Sequence, residues 1–492
     1  MIASPIFREA FTMTMTRRRA LSLGSAGLFA TTVPLATWMH GARAEYMRTR
    51  YDAASPEGKE MLGIYASAVG QMKTRDPSDP TSWQFQFFTH WMDEQKAAAI
   101  DRIYGPDASP EKMAAEAMWN TCRGHITWAS QADFFVPWHR MYVLYLEKIV
   151  RQVSGEDDFT LPYWNYTDPA SLAIPEEFRD PASPLFVADR NPGINDGTAV
   201  MNGLSLAFMS RTAYLGQIGF NRTLDNNPHG AVHVMVGTTT NMGNVPTAAN
   251  DPVFWVHHAQ IDRCWASWNA AGNANPTDAA WTDQEFQFYD PVENQLVSVP
   301  SGSVTTTEEL GYTYQDLIPA PAPLTAMVER DTLIESAPMV LAAAEDVPLT
   351  ASVDTGPVKL GAEPVTARVA APEQSLALGG PSDTRLYLVI GSLATEIQPG
   401  VVYDVYLGGP EVAREQREEW LVGQIHFFNA TASVEEAEKS DAVFAFDVTD
   451  HMAVLTAEAT DGLPAPQVTF APAGTPVEDA EPLVGDIRFV EE

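Results

Sequence analysis

Two periodicities divide the chain. Up to about Trp268, apolar residues recur three and four apart, as on a helix with one buried face. After about Arg385 they come in short β-branched and aromatic runs broken by Gly, Pro and Asp, as in strands. A first helix is expected in SPEGKEMLGIYASAVGQMK. Ser55-Pro56 is its start signal, and Met61, Leu62, Tyr65, Val69 and Met72 share one side. A second apolar-rich segment is WQFQFFTHW, Trp83 to Trp91. In FFVPWHRMYVLYLEKIV a helix is expected to begin at His139 after Pro137, with Tyr142, Val143, Leu146 and Val150 on its apolar face. PHGAVH sets His229 and His233 four apart, on one helical face, with Pro228 at the start. DPVFWVHHAQIDRCW reads as another helix, with Asp251 as cap and Pro252 in the first turn.

The strand runs are RLYLVIGSL, VVYDVYLGG, EEWLVGQIHFF, DAVFAFDVTD and GDIRFVEE. They predict an antiparallel β-sandwich or barrel over 385–492. Between the two regions, 318–384 is Pro/Ala-rich with few aromatics and reads as a linker; 171–220 reads as loops. The fold class is therefore a mainly α domain, 45–317, followed by a β domain.

Residues 1–44 read as a targeting segment. Arg17, Arg18 and Arg19 precede an apolar run to Trp38, and Ala42-Arg43-Ala44 offers a small-residue cleavage site. This is the pattern of a twin-arginine export signal, with a periplasmic or secreted mature chain and no membrane anchor expected. The formal net charge is −34, and the targeting segment holds five Arg and one Glu, so the rest is more acidic still. Such a chain is repelled by nucleic acid and anionic lipid. Only two cysteines occur, Cys122 and Cys264, which excludes a disulfide framework and thiolate zinc or iron–sulfur sites.

The chemistry lies in the histidines. Four of the ten fall between Asn226 and Trp268: His229, His233, His257 and His258. HxxxH followed by DPxFxxHHxxxD resembles the second copper motif of the tyrosinase, catechol oxidase and hemocyanin superfamily. FFVPWHRMYVLYLEKI resembles the first. The resemblance implies a four-helix bundle around two copper ions held by His90, His125 and His139 at one and His229, His233 and His258 at the other. His125 lies fourteen residues before His139, where the family usually spaces the pair by nine, a position that Ser130 occupies here. His257 and His258 point about 100° apart on a helix, so one of them is expected to face copper. His258 shares a face with Phe254 and Asp262, and the hemocyanin pattern keeps a histidine only at its position. His257, Phe254 and Asp262 are thus expected beside the ligands rather than among them. Cys122, three before His125, is a candidate for the thioether that some members form to that histidine.

The resemblance also points at substrate. Asp225 matches a carboxylate that holds a water in plant-type members. Gly230 stands where an Asn in some tyrosinases helps to deprotonate monophenols, and Val245 where a residue guards the entrance. GYTYQDL, Gly311 to Leu317, resembles a tyrosine motif whose partner is an N-terminal arginine, here Arg48 or Arg50. FAFDVTD resembles a segment of the C-terminal domain that in plant polyphenol oxidases can cover the copper site and hold the enzyme latent. His426 and His451, in the strand region, read as structural.

Three neutral imidazoles per ion suit copper and leave a position for dioxygen, and no carboxylate stands among the ligand candidates. The expected activity is oxidation of o-diphenols to o-quinones with O2 reduced to water, with weaker hydroxylation of monophenols. The expected partners are a phenolic small molecule and O2. An o-aminophenol oxidase, a hemocyanin-like dioxygen carrier and a degenerate non-catalytic relative share the same residues.

Overall fold

The computed structural model describes residues 47–92, 94–123, 132–216, 218–320, 356–369, 385–416, 418–428, 430, 433, 443–458 and 466–491. Residues 1–46, where the export signal is expected, and His125 lie outside them. No helix among the described residues is long and apolar enough to cross a membrane.

The helical region contains α1 Pro56–Met72, α2 Trp83–His90, α3 Lys96–Tyr104, α4 Pro110–Met118, α5 Phe135–Ser154, α6 Ala231–Val236 and α7 Val253–Ala270. The start signals act as their chemistry requires. Ser55 Oγ accepts from the Gly58 amide at 2.9 Å with Pro56 next to it, and Ser82 Oγ accepts from the Phe85 amide at 3.1 Å. Asp251 Oδ1 accepts from the Val253 amide at 3.0 Å at the head of α7. The Arg190 guanidinium forks onto the same carboxylate, with both bonds at 2.8 Å. Helix α5 begins two residues before Pro137, not after it. Proline belongs to a first turn because its missing N–H has no partner to lose there. Between Asp225 and Gly230 the chain forms a wide turn, broken at Asn227 (φ −148°), before α6. His229 and His233 therefore sit across a junction rather than on one regular helix, with ring centroids 4.6 Å apart.

Strand β1 (Arg48–Arg50) pairs in parallel with the later β4 (Tyr312–Tyr314), closing the helical region. Between them a hairpin forms from β2 (Glu285–Asp290) and β3 (Gln295–Pro300). The β1–β4 pair delivers Arg50, Tyr312 and Tyr314 to Asp262 of α7. Arg50 bonds Asp262 at 2.7 Å and Glu147 of α5 at 2.8 Å; both tyrosine hydroxyls donate to Asp262 at 2.6 Å; Arg140 of α5 pairs with its other oxygen. Arg50, not Arg48, is thus the partner of the tyrosine motif. Burial pushes the Asp262 carboxyl up, but Arg140, Arg50 and the two hydroxyls outweigh it and hold the carboxyl below its usual range.

Replacing Asp262 with alanine leaves the buried Arg140 guanidinium uncompensated and Arg50 with Glu147 alone, and is expected to cost about 3–5 kcal/mol of stability, read by urea unfolding. The sign in pH follows from linkage. A carboxyl depressed in the folded state stabilises above its unfolded pKa of about 3.9, and that contribution is lost as pH falls through the lower folded value. The gap between wild type and variant should therefore close in strong acid.

The β region holds two four-stranded antiparallel sheets. One has the order β10 (Val443–Asp447), β7 (Leu386–Ala394), β12 (Leu483–Glu491), β5 (Val358–Lys359). The other runs β6 (Val365–Arg368), β11 (Gln467–Pro472), β8 (Tyr403–Leu407), β9 (Leu421–Ile425). Leu388, Ile390 and Phe489 from the first sheet and Val405, Leu407 and Phe470 from the second meet in one core. The expected boundary at 385 needs correction: β5 and β6 come from the stretch read as linker. They are too short to show a period, and only the pairing identifies them as strands.

Candidate metal centre

The buried histidines gather where α2, α5, the turn into α6 and α7 converge. Two groups of donor atoms lie within 4.8 Å of one another: His229, His233, His257 and His258, and His90, Cys122 and His139. The groups adjoin, because the His139 and His258 rings stack at 4.3 Å and 13°. His90 is the last residue of α2. The strand-like segment after α4 runs alongside it, with the Cys122 amide donating to the His90 carbonyl. Cys122 Sγ consequently lies 3.5 Å from His139 Nε2. Burial pushes the Cys122 thiol well above its ordinary pKa.

The backbone selects the tautomers. His139 Nδ1 donates to the Phe135 carbonyl at 2.7 Å, one turn earlier. His233 Nδ1 donates to the Met242 carbonyl at 2.8 Å. His229 Nδ1 faces the Asp225 carbonyl at 3.1 Å and the Asp225 carboxylate at 2.9 Å. A carbonyl oxygen only accepts, so Nδ1 carries the proton and Nε2 keeps its lone pair for a metal. Asp225 thus lies against a candidate ligand ring and orients it.

His258 is clamped between His139 and Phe254, whose ring is 4.1 Å away, and neither of its nitrogens has a hydrogen-bond partner. His257 Nδ1 meets the Tyr166 hydroxyl at 2.9 Å, and its ring stacks on His229 at 5.4 Å and 8°. The turn FTLPYWNYTDPA, Phe159 to Ala170, therefore reaches the site through Tyr166. Both imidazoles of the pair join the His229 group, although their 100° separation predicted that one would be excluded. Burial lowers His257 to about 3 and His258 well below its ordinary value, the latter with help from the neighbouring rings. Neutral, buried imidazoles with unused nitrogens form a donor set that fits copper.

Phe254 contacts His90 as well as His258, with ring centroids at 5.0 Å. Val245 opens a one-turn helix and packs half-buried against the main core. Gly230 meets something unforeseen. An added Cβ there would overlap the ring of His426, which follows β9 of the β region. His426 Nδ1 accepts from the Phe428 amide at 3.3 Å, and Nε2 donates to the Asn226 carbonyl at 2.7 Å. Phe428 lies flat on His233 at 4.2 Å and 16°. The sequence offers these two covering residues only as the end of the expected strand run EEWLVGQIHFF, with His426 expected to be structural; the strand itself stops at Ile425. His451, near Trp420, stays within the β region.

Comparison with known proteins agrees with this centre. The common central domain of tyrosinase matches residues 80–203 and 210–271, the polyphenol oxidase middle domain 275–322, and a domain of unknown function (DUF7868) 336–491. A tyrosinase of Hahella sp. (strain CCB-MM4) is 32% identical over 434 residues, covering 80% of this chain and 88% of the relative. A chloroplastic polyphenol oxidase of Malus domestica is 26% identical, covering 70% of this chain and 62% of the relative. The structure of latent apple tyrosinase superposes with a TM-score of 0.55 at 21% identity, over 90% of this chain and 97% of that one, a likeness of fold. The chain belongs to the tyrosinase and polyphenol oxidase family of binuclear copper oxidoreductases, which act on phenols with O2.

Proposed function

We propose that the protein oxidises o-diphenols to o-quinones, two diphenols per O2 reduced to two waters, and hydroxylates monophenols only weakly. The observation that carries the reading is the stacked His139–His258 pair joining two buried imidazole groups. In this reading His90, His125 and His139 hold one copper, and His229, His233 and His258 the other, with α2, α5, the His229–His233 turn and α7 as the four helices around them. Copper would bind dioxygen and pass to it the electrons that the two diphenols give up. The chain supplies the rest. The carbonyls of Phe135 and Met242 and the carboxylate of Asp225 hold the rings in the ligating tautomer, and Phe254 fills the space between the groups and keeps water out.

The leaning toward diphenols rests on Gly230, which offers no group to take a proton from a monophenol beside His229. Val245, a small residue, leaves the entrance open. An export signal in residues 1–44, and a Cys122–His125 thioether, belong to the same reading. The substrate preference is tested by turnover of 4-methylcatechol against p-cresol on the copper-loaded enzyme. At least about tenfold faster turnover of the diphenol is expected, a difference of ~1.4 kcal/mol in activation free energy. Equal rates would refute it.

We further propose that the β domain is a cover holding the enzyme latent. Phe428 occupies the face of His233 where a substrate ring would lie, and His426 fastens the segment to Asn226.

A further inference from the structure

The seam between the helical region and the β domain encloses a cavity of about 220 Å³. Arg211 and Asn226 line its helical side; Arg385, Tyr387, Phe444 and Phe446 line the other. Arg211 is only 7% exposed. Its guanidinium lies over the Tyr387 ring at 4.6 Å, and its buried Nε has no hydrogen-bond partner. The other buried guanidinium groups differ: Arg50, Arg140, Arg190, Arg222 and Arg263 each pair with a carboxylate. In a chain of net charge −34 carboxylates are plentiful, and a buried cation left without one is costly. At the mouth, Arg385 is half exposed and pairs with Asp447 at 2.9 Å. The cavity thus offers one uncompensated cation at its inner end and aromatic faces along its wall.

We propose that this cavity binds an aromatic carboxylate, with the carboxylate on Arg211 and the ring against Tyr387, Phe444 and Phe446. Guanidinium and carboxylate match in charge and fork geometry, and flat apolar walls take a ring. Because the two walls belong to different domains, the complete site exists only while the β domain is seated. A ligand that binds one arrangement alone shifts the population toward it. Asn226 connects the cavity to the metal centre: its side chain donates to the Val443 carbonyl, and its own carbonyl accepts from His426. The ligand therefore holds the cover down, a consequence that rests on the latency reading, whereas the binding itself does not.

The test is calorimetric titration of 2-naphthoate into the copper-loaded full chain. One equivalent should bind, at least about tenfold weaker in Arg211→Gln. Arg385→Gln, a change at the half-exposed mouth, should fold normally. It should weaken binding about threefold, because it leaves Asp447 facing the anion. The wild-type melting temperature should rise with ligand concentration. No binding, or binding as tight in Arg211→Gln as in the wild type, would overturn the proposal. Naphthoate should also slow 4-methylcatechol turnover; unchanged turnover with binding intact would overturn only the latency reading.

Discussion

His258→Gln is expected to lower copper from about two ions per chain to about one and to reduce 4-methylcatechol turnover about a thousandfold or more. Losing a group that merely orients a ligand costs some 10–100-fold, and losing a ligand costs more. His257→Gln is the informative partner. Both rings reach the same group of donor atoms, but His257 stacks on His229 within that group, while His258 stacks on His139 and so lies between the two groups. His257→Gln should therefore keep two coppers and lose no more than about a hundredfold in turnover. Copper analysis and catechol kinetics on both variants decide it. Two coppers in His258→Gln with one in His257→Gln would reverse the assignment.

A Gly230→Asn enzyme should be more active in the full chain than the wild type, by about tenfold or more toward 4-methylcatechol. A side chain at 230 would overlap the His426 ring, and the ring is tied at both nitrogens, so the β domain must shift. Phe428→Ala should act in the same direction, because losing a buried Phe costs about 3–5 kcal/mol, here taken from the seated arrangement. The two substrates separate the causes. If the introduced side-chain amide acted only on proton removal, p-cresol turnover alone would rise; unseating raises p-cresol and 4-methylcatechol together. Unchanged rates in both variants, with copper content intact, would remove the cover from the mechanism.

Local chemistry made the helical starts readable. Ser55, Ser82 and Asp251 accept from amides two or three residues on, within reach of their own chain, and Pro56 pre-sets the first turn. His229, His233 and His258 were legible because the motif is short and its spacing leaves few geometries. Arg50 could be separated from Arg48 only by the parallel β1–β4 register, which puts Arg50 opposite Tyr314. Strands β5 and β6 escaped because two and four residues carry no period. Cys122 was paired in expectation with its sequence neighbour, whereas the described structure places its sulfur beside His139, seventeen residues away.

The amino-acid order alone determined the two-part architecture, the acidity that disfavours polyanionic partners, and the copper motifs, since each is written in composition or in spacings of a few residues. The tertiary structure decided which groups meet across long separations. Tyr166 meets His257, Arg190 holds Asp251, and Phe428 lies on His233. None of these pairs is encoded locally. Each depends on how the elements pack, and burial then makes the meeting consequential: a ring or charge withdrawn from water must find its partner in whatever part of the chain the fold brings to it.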